Sequence, residues 1–437
     1  MNDDFERASA LFQAGMASFE QGDYAGAESH LEASLVHLPG RPSTLLNLGV
    51  ARLRLGRPQE ALQALDAALV ARPDDADAWG HRGVALAELG RPEDALAAFD
   101  QALVLAPGAT AACYHRAMVL GALGRHNEAL AAFEMLLQSK ADDAQTWLQQ
   151  ARCLQCLGRH EAALPSYRHA LALDPTLGEG WSLLGQALKD RGDIDEAAAC
   201  FEQALTHGAD AELNRWLLAG VRDGPAPDHA PAAYVQRLFD GYAADFDRHL
   251  LQGLRYQAPT VLAEMLTEPL RAAPASRRHA ALDLGCGTGL CAELLHRHAD
   301  AVDGVDLSGA MLAKAQALGR YRQLLRVDAV AHLQTTPERY GWMLAADVLI
   351  YIGALDDLFA GVRRVLLPGG RFAFSVEAAT AGVAFELRRS LRYAHGESYL
   401  REQARRHDLV WLAHREAPLR EDQGLPVTGL YVVLGAP

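Results

Sequence analysis

A chain of 437 residues exceeds one ordinary core, so two or three domains are expected. Half of the residues are hydrophobic and 22% are charged, which is a soluble globular composition. The net charge of -14 argues against a nucleic-acid backbone as the main partner, because phosphate binding needs a clustered basic surface. Lys140, Lys189 and Lys314 are the only lysines; coding bias explains this arginine excess more simply than phosphate recognition. The opening MNDDFERASALF is acidic, with no basic-then-apolar leader, and no apolar run approaches a membrane span. Cys153 and Cys156 form a lone CxxC without the second pair of a zinc site. They fall one turn apart on a predicted helix and read as structural, so no metal is expected. Together these features predict a reducing, cytoplasmic setting.

The first half is periodic. Gly22, Gly56, Gly90, Gly124, Gly158 and Gly192 recur every 34 residues, in frame with Ala27, Ala61, Ala95, Ala129, Ala163 and Ala197. A third row reads Leu31, Leu65, Phe99, Phe133, Tyr167 and Phe201, and prolines fall in phase at Pro39, Pro73, Pro107 and Pro175. The glycine ends a first helix in a left-handed conformation. The alanine lets a second helix approach, the large residue fills the gap beside it, and the proline stops that helix. The pattern resembles the tetratricopeptide repeat, a stack of helical hairpins. Six repeats over 8–211 and a capping helix in AELNRWLLAG make a domain of residues 1–220. The resemblance implies a concave groove, lined by first helices, that receives a peptide or protein. The groove position that often holds a ligand-binding asparagine in that family here reads Gln13, Asn47, His81, His115, Gln149 and Leu183. The five polar members are candidate partner-binding residues; an exposed row without a ligand is the alternative.

VRDGPAPDHAPAA, residues 221–233, reads as a linker. Beyond it, residues 234–437 alternate strand-like and helix-like segments. The strand HAALDLG leads into a helix near LCAELLHRHA, and AVDGVDL into SGAMLAKAQALG. YRQLLRVD and GWMLAADVLIYI are further strands, and LDDLFAGVRRVLLPGG is a helix before the strand RFAFSVE. The expected fold is therefore multidomain: an all-α repeat array followed by an α/β doubly wound, mostly parallel Rossmann-like sheet. The last segments, SYLREQARRHDL, VWLAHREA and TGLYVVLG, suit a final hairpin at the sheet edge.

In ALDLGCGTGL the first strand enters a turn with glycines at 285, 287 and 289. Backbone N–H groups at such a turn suit the negative end of a nucleotide-like ligand. Asp306 ends the second strand, where a carboxylate grips a ribose diol. Both features fit either a nicotinamide dinucleotide or S-adenosylmethionine. Asp283 favours the second, since it attracts an ammonium and repels a pyrophosphate. Asp328, ending the third strand where a carboxylate can accept from an adenine amino group, and the terminal hairpin point the same way.

LDLGCGTG, VDGVDLS, RVDAVAHL and AADVLIYIGAL together resemble the class I S-adenosylmethionine-dependent methyltransferases, from about Tyr234 to the end. The whole chain also resembles a bacterial family of predicted methyltransferases carrying tetratricopeptide repeats, through YVQRLFDGYAADFDRHLLQGLRYQAP, LRYAHGESYL and LPVTGLYVVL. The resemblance implies S-adenosyl-L-methionine as cofactor. Gly285 and Gly287 would take its carboxylate end, Asp283 its amino group and Asp306 its ribose. Leu307 and Met311 would pack near the adenosine, Asp328 and the Ala329 backbone would hold the adenine, and Asp347 would sit beside the sulfonium. Tyr242 and Phe246 are lid candidates, and Arg392, Tyr393 and His395 lie where such enzymes place acceptor contacts. His395, as general base, and Tyr242 are the catalytic candidates. The expected function is methyl transfer to an unnamed acceptor, with the repeats recruiting a protein partner or substrate. A repeat-based adaptor with a non-catalytic fold is the alternative.

Overall fold

A computed structural model describes residues 2–222, 224–243, 246–248, 250, 256–267, 279–422 and 425–437. The chain divides into two compact units, Met1–Gly192 and Asp193–Pro437.

The first unit is helical. Its helices are α1 (Asn2–Glu20), α2 (Tyr24–His37), α3 (Pro42–Arg54), α4 (Pro58–Ala71), α5 (Ala76–Glu88) and α6 (Pro92–Leu105). They continue as α7 (Thr110–Ala122), α8 (His126–Ser139), α9 (Ala144–Cys156), α10 (His160–Leu173) and α11 (Gly178–Arg191). Each hairpin pair packs together, and each second helix packs on the next first helix. The six periodic glycines all take positive φ, between 70° and 96°. The alanine row is fully buried, and no member of the large-residue row is more than 1% exposed. A close contact shows why the first helices carry a small residue: a Cβ on Gly83 would lie 2.6 Å from the Phe99 ring. Trp79, Trp147 and Trp181 each donate their indole N–H to a carbonyl six residues earlier, at 2.9, 2.7 and 2.8 Å. These bonds tie the turn between repeats to the next helix.

The second unit begins with α12 (Ile194–Thr206) and α13 (Ala211–Ala219), followed by α14 (Ala232–Tyr242), α15 (Phe246–Arg248) and α16 (Ala258–Thr267). The remaining elements in chain order are β1 (Ala281–Leu284), α17 (Ala292–His296), β2 (Val302–Asp306), α18 (Gly309–Ala317), β3 (Gln323–Arg326), α19 (Ala329–Thr335) and β4 (Tyr340–Ala345). A 3-10 turn at Leu349–Tyr351 precedes α20 (Asp356–Val365), β5 (Leu366–Ala378), β6 (Phe385–Leu387), β7 (Tyr393–His395), α21 (Glu397–Arg406), β8 (Val410–Asp422) and β9 (Leu425–Gly435). The described strands form one sheet of order β3-β2-β1-β4-β5-β7-β6, with β9 pairing both β5 and β8. β1 to β5 run parallel, and β9 lies antiparallel between β5 and β8. The sheet is covered by two apolar clusters: Phe359, Val362 and Leu400 belong to one, and Leu262, Leu266 and Leu295 to the other. Helices on both faces of a largely parallel sheet are the doubly wound arrangement expected.

Three details differ from the sequence reading. The helix after β1 is a short one, so the glycine turn does not open a long helix dipole. The insertion before α21 contains two three-residue strands, β6 and β7, too short to show an alternating pattern. The described residues of 221–233 are not loose either. Asp228 O accepts from Gly353 N and Ala354 N at 2.7 and 2.9 Å, Ala230 N donates to Tyr351 O at 2.9 Å, and Tyr393 Oη donates to Pro227 O at 2.7 Å. Trp216 of α13 also lies ring to ring with Tyr234 of α14, 4.6 Å between centroids. The proline-rich segment is a strap bonded to the second unit.

Candidate active site

The loops that follow β1, β2, β3 and β4 meet around a cleft of about 1040 Å³. This is the carboxyl edge of a doubly wound sheet, where such folds bind ligands. Gly285, Gly287 and Gly289 all adopt positive φ, but they do different things. A Cβ at Gly285 would meet Val348 at 2.5 Å and one at Gly289 would meet Leu318 at 2.6 Å. Gly287 would meet only the Phe246 ring, at 4.0 Å. The outer glycines let the turn pack; the middle one opens to the cleft.

The aspartates separate in the same way. Asp306 lines the cleft, accepting from Gly287 N and Ser308 N, each at 2.8 Å. Each oxygen therefore keeps acceptor capacity for a ligand hydroxyl. Burial raises its pKa against those backbone bonds. Asp328 also lines the cleft, but it lies beyond β3 and caps α19, accepting from Ala331 N at 2.9 Å. Leu307 and Ala329 line the cleft beside them. Asp283 and Met311 do not. Asp283 is 1% exposed, accepts from Tyr321 Oη at 2.7 Å, and burial pushes its pKa up to about 7. Met311 is fully buried, its N–H donating to Ser308 Oγ at 3.1 Å.

The N-terminal side of the cleft is held by two carboxylates that the sequence reading did not single out. Asp240 on α14 accepts from Ser308 Oγ at 2.6 Å and from Ala310 N at 3.3 Å, so α14 is fixed to the start of α18. Asp247 on α15 accepts from Thr288 Oγ1 at 2.5 Å, fixing that turn to the glycine loop. Between them Phe239, Tyr242 and Phe246 pack edge to face, and Phe239 also meets Tyr351. All four rings line the cleft. Residues 244–245, 249 and 251–255 of the stretch YVQRLFDGYAADFDRHLLQGLRYQAP lie outside the described residues.

Asp347 follows β4 with φ 55°, a conformation that strains a residue with a Cβ. Its N–H donates to Ser375 Oγ at 3.0 Å, the Ser375 hydroxyl returns a bond to Oδ1 at 3.1 Å, and Arg420 Nη1 donates to Oδ2 at 2.7 Å. Arg420 also donates to Glu377, and Arg388 covers the other Glu377 oxygen at 3.0 Å. The Arg420 and Glu377 side chains are only 2% and 3% exposed. Both Asp347 oxygens are thus engaged, which suits a positioning residue better than a proton acceptor. Arg420 stands in β8 beyond a proline and a register shift, and nothing in the local pattern marks it.

Comparison with known proteins agrees with this geometry. A model of the methyltransferase domain matches residues 282–374, and tetratricopeptide repeat models match 8–33, 46–110, 114–177 and 178–208. The chain joins tetratricopeptide repeats to a class I methyltransferase domain. Its relatives include the ubiquinone biosynthesis O-methyltransferases of Azoarcus sp. (strain BH72), 31% identical over 99 residues, and of Pseudomonas savastanoi pv. phaseolicola, 29% identical over 101 residues. Each match spans 22% of this chain and 42% of the relative. Among solved structures, the N-methyltransferase NodS from Bradyrhizobium japonicum WM9, in complex with S-adenosyl-L-homocysteine, aligns at 17% identity and a TM-score of 0.38. That alignment covers 46% of this chain and 98% of NodS.

Within the methyltransferase domain, His395 does not reach the cleft. It is 1% exposed, its Nε2 lies 3.0 Å from Gly353 O, and burial lowers its pKa to about 4. The ring stacks on Tyr399, so this histidine belongs to the packing behind the cleft. Tyr393 is likewise fully buried, whereas Arg392 does line the cleft. The expectation of a general base at His395 is therefore corrected: a buried neutral imidazole bonded to a carbonyl meets no substrate.

In the repeats, Gln13, Asn47, His81, His115 and Gln149 fall on the first helices α1, α3, α5, α7 and α9. Asn47 donates to Ser43 O at 2.8 Å, which leaves its side-chain oxygen as acceptor. His115 stacks on Phe99, 6.2 Å between ring centroids. Burial lowers the pKa of both His81 and His115, so each presents one donor and one acceptor at neutral pH.

Proposed function

We propose that the protein is an S-adenosylmethionine-dependent methyltransferase whose repeats recruit a protein partner or substrate. The observation that carries this reading is the pairing of Gly287 with Asp306: an open glycine whose N–H is held by the carboxylate that flanks it in the cleft. The donor set fits the cofactor. Gly285 and Gly287 supply backbone near its carboxylate end, Asp306 keeps acceptor capacity for the ribose, and Asp328, Ala329 and Leu307 line the adenosine end. Asp283, bonded to Tyr321, and Met311 support this wall from below, and Asp347 orients the loop after β4. S-adenosylmethionine, when bound, supplies an electrophilic methyl group on a sulfonium. Phe239, Tyr242 and Phe246 then exclude water and hold the acceptor side of the cleft, and alignment of this kind supplies much of the acceleration such transfers need.

The test is calorimetric titration of the full chain with S-adenosylmethionine and S-adenosylhomocysteine, with NAD as control. Binding of NAD alone would sink the reading and favour a dehydrogenase. Methyl transfer is followed by labelled S-adenosylmethionine in lysate, separating protein from small-molecule product. Recruitment is read by pull-down with Asn47, His81 and His115 replaced by alanine together. Each bond to a ligand backbone contributes only about 0.5–1.5 kcal/mol, so the triple change, rather than a single one, should thin the partner list. An unchanged list at equal recovery would remove the groove row from the proposal.

A further inference from the structure

With His395 behind the cleft, His229 of the strap is the one imidazole among the described residues that line it. Its backbone seats it there. His229 pairs with Ile352 as an antiparallel bridge. On one side Asp228 O accepts from Gly353 N and Ala354 N at 2.7 and 2.9 Å; on the other Ala230 N donates to Tyr351 O at 2.9 Å. None of these bonds uses the imidazole. The 3-10 turn Leu349–Tyr351 leads directly into this pairing, and Val348 at its start packs on the glycine loop, 2.5 Å from where a Cβ at Gly285 would lie. One short turn thus joins the glycine loop to the backbone that carries His229.

The ring's hydrogen bond decides which nitrogen is basic. Nδ1 lies 3.3 Å from Ala230 O, and a carbonyl oxygen can only accept, so Nδ1 carries the proton of the neutral ring. Nε2 is then the nitrogen with a lone pair to offer. Other groups along the cleft are less suited to take a proton. Both Asp347 oxygens are engaged by Ser375 and Arg420, and Asp356 is engaged by Arg406 and His407 at 3.0 and 3.1 Å. Burial raises the thiols of Cys286 and Cys291 and keeps them protonated. An imidazole is also a better match to neutral pH than an exposed carboxylate is.

We propose that His229 is the general base of the methyl transfer, and that the acceptor is a neutral hydroxyl compound whose apolar body packs on Phe239, Tyr242 and Phe246. This deepens the methyltransferase reading and rests on it. As the hydroxyl oxygen bonds to the methyl carbon, the carbon–sulfur bond breaks and its electron pair stays on sulfur. The hydroxyl proton passes to Nε2 of His229, and the exposure of that side chain lets it go on to water. A carboxylate acceptor would need no base, and Asp228, Asp356 and Asp357 along the cleft disfavour an anion.

The experiment follows labelled methyl from S-adenosylmethionine into lysate with the full chain, comparing wild type, His229→Gln and His229→Ala. Calorimetry should find S-adenosylhomocysteine affinity unchanged in both variants, which also shows that they fold. The initial rate should fall about a hundredfold or more in each, the scale of a positioned base, and added imidazole should restore part of it in His229→Ala. The labelled product should resist alkali, which frees methanol from esters, and give methyl iodide in hydroiodic acid, as methyl ethers do. Nitrogen-15 NMR of the unligated protein, with the His229 signals identified by their loss in His229→Gln, should show a protonated Nδ1 and a bare Nε2. The proposal is overturned by variants that keep the wild-type rate or lose S-adenosylhomocysteine affinity, by the absence of imidazole rescue, or by the opposite tautomer. Label freed by alkali, or held through hydroiodic acid as on an amine nitrogen, overturns it too. If the wild type transfers no label, the methyltransferase reading itself fails. If it does and the variants keep pace, the assignment of His229 alone falls.

Discussion

Asp283 shows how one residue can be correctly picked out and differently employed. The sequence placed a carboxylate at the head of the glycine motif; the structure buries it at the end of β1 under the Tyr321 hydroxyl. Its pKa is raised from 3.8 to about 7, chiefly by burial, so the folded state holds its proton more tightly than the unfolded chain does. A carboxyl raised in this way contributes a stability that falls as pH climbs from the lower value toward about 7. Asp283→Asn, which keeps an acceptor for Tyr321, should therefore raise Tm clearly more at pH 8 than at pH 5, where only part of that stability has been lost. Each kcal/mol recovered appears as about 2–4 °C in a domain of this size. Thermal melts without ligand at the two pH values decide it; equal shifts at both would mean that the carboxylate is ionised in the fold at low pH as well.

At the scale of elements, the repeats were legible because one period governs every packing decision. The glycine, alanine and large-residue rows occupy equivalent places in each hairpin, so the pattern repeats with the contact. Gly83 tests this. Its Cβ position lies 2.6 Å from the Phe99 ring, so Gly83→Ala should destabilise the first unit by about 1–3 kcal/mol, despite alanine's better helix propensity. Phe99→Leu in the same chain should recover part of that, as read by urea unfolding. A stabilised single variant would show the contact to be slack. The central strands were legible for a similar reason: β1, β2, β4 and β5 are apolar runs flanked by turn residues. What escaped were elements without a pattern of their own. β6 and β7 are set by their partners, and Arg420 acquires its role only when β8 is laid beside β9. The candidate aspartates could be named in advance because each lies at or just beyond the carboxyl end of a strand. The carboxylates of α14 and α15 could not, since their partners, Ser308 and Thr288, are 68 and 41 residues away.

At the scale of the whole molecule, composition pointed to a linker where the structure has a strap. Asp228, His229, Ala230 and Ala232 line the cleft, and α13 meets α14 through Trp216 and Tyr234. A fragment of residues 193–437, following the division at Gly192, should bind S-adenosylhomocysteine with an affinity close to that of the full chain. A fragment of 234–437, which keeps every motif of the methyltransferase fold but lacks the strap, should bind at least several-fold more weakly or be insoluble. Calorimetry on both decides it. Equal affinity for the shorter piece would reduce the strap to a tether.

The place of β9 also sets an order of events during synthesis. Built from Leu425–Gly435, it lies between β5 and β8 and pairs with both. The helices of the first unit leave the ribosome complete while this strand has not yet been made. At about 5–20 residues per second, the stretch from Asp193 to Pro437 takes roughly 12–50 s to translate. Until Arg420 is made, Asp347 lacks its guanidinium partner. A nascent chain stalled shortly before residue 425 would carry finished repeats and a β5 still without its antiparallel partner.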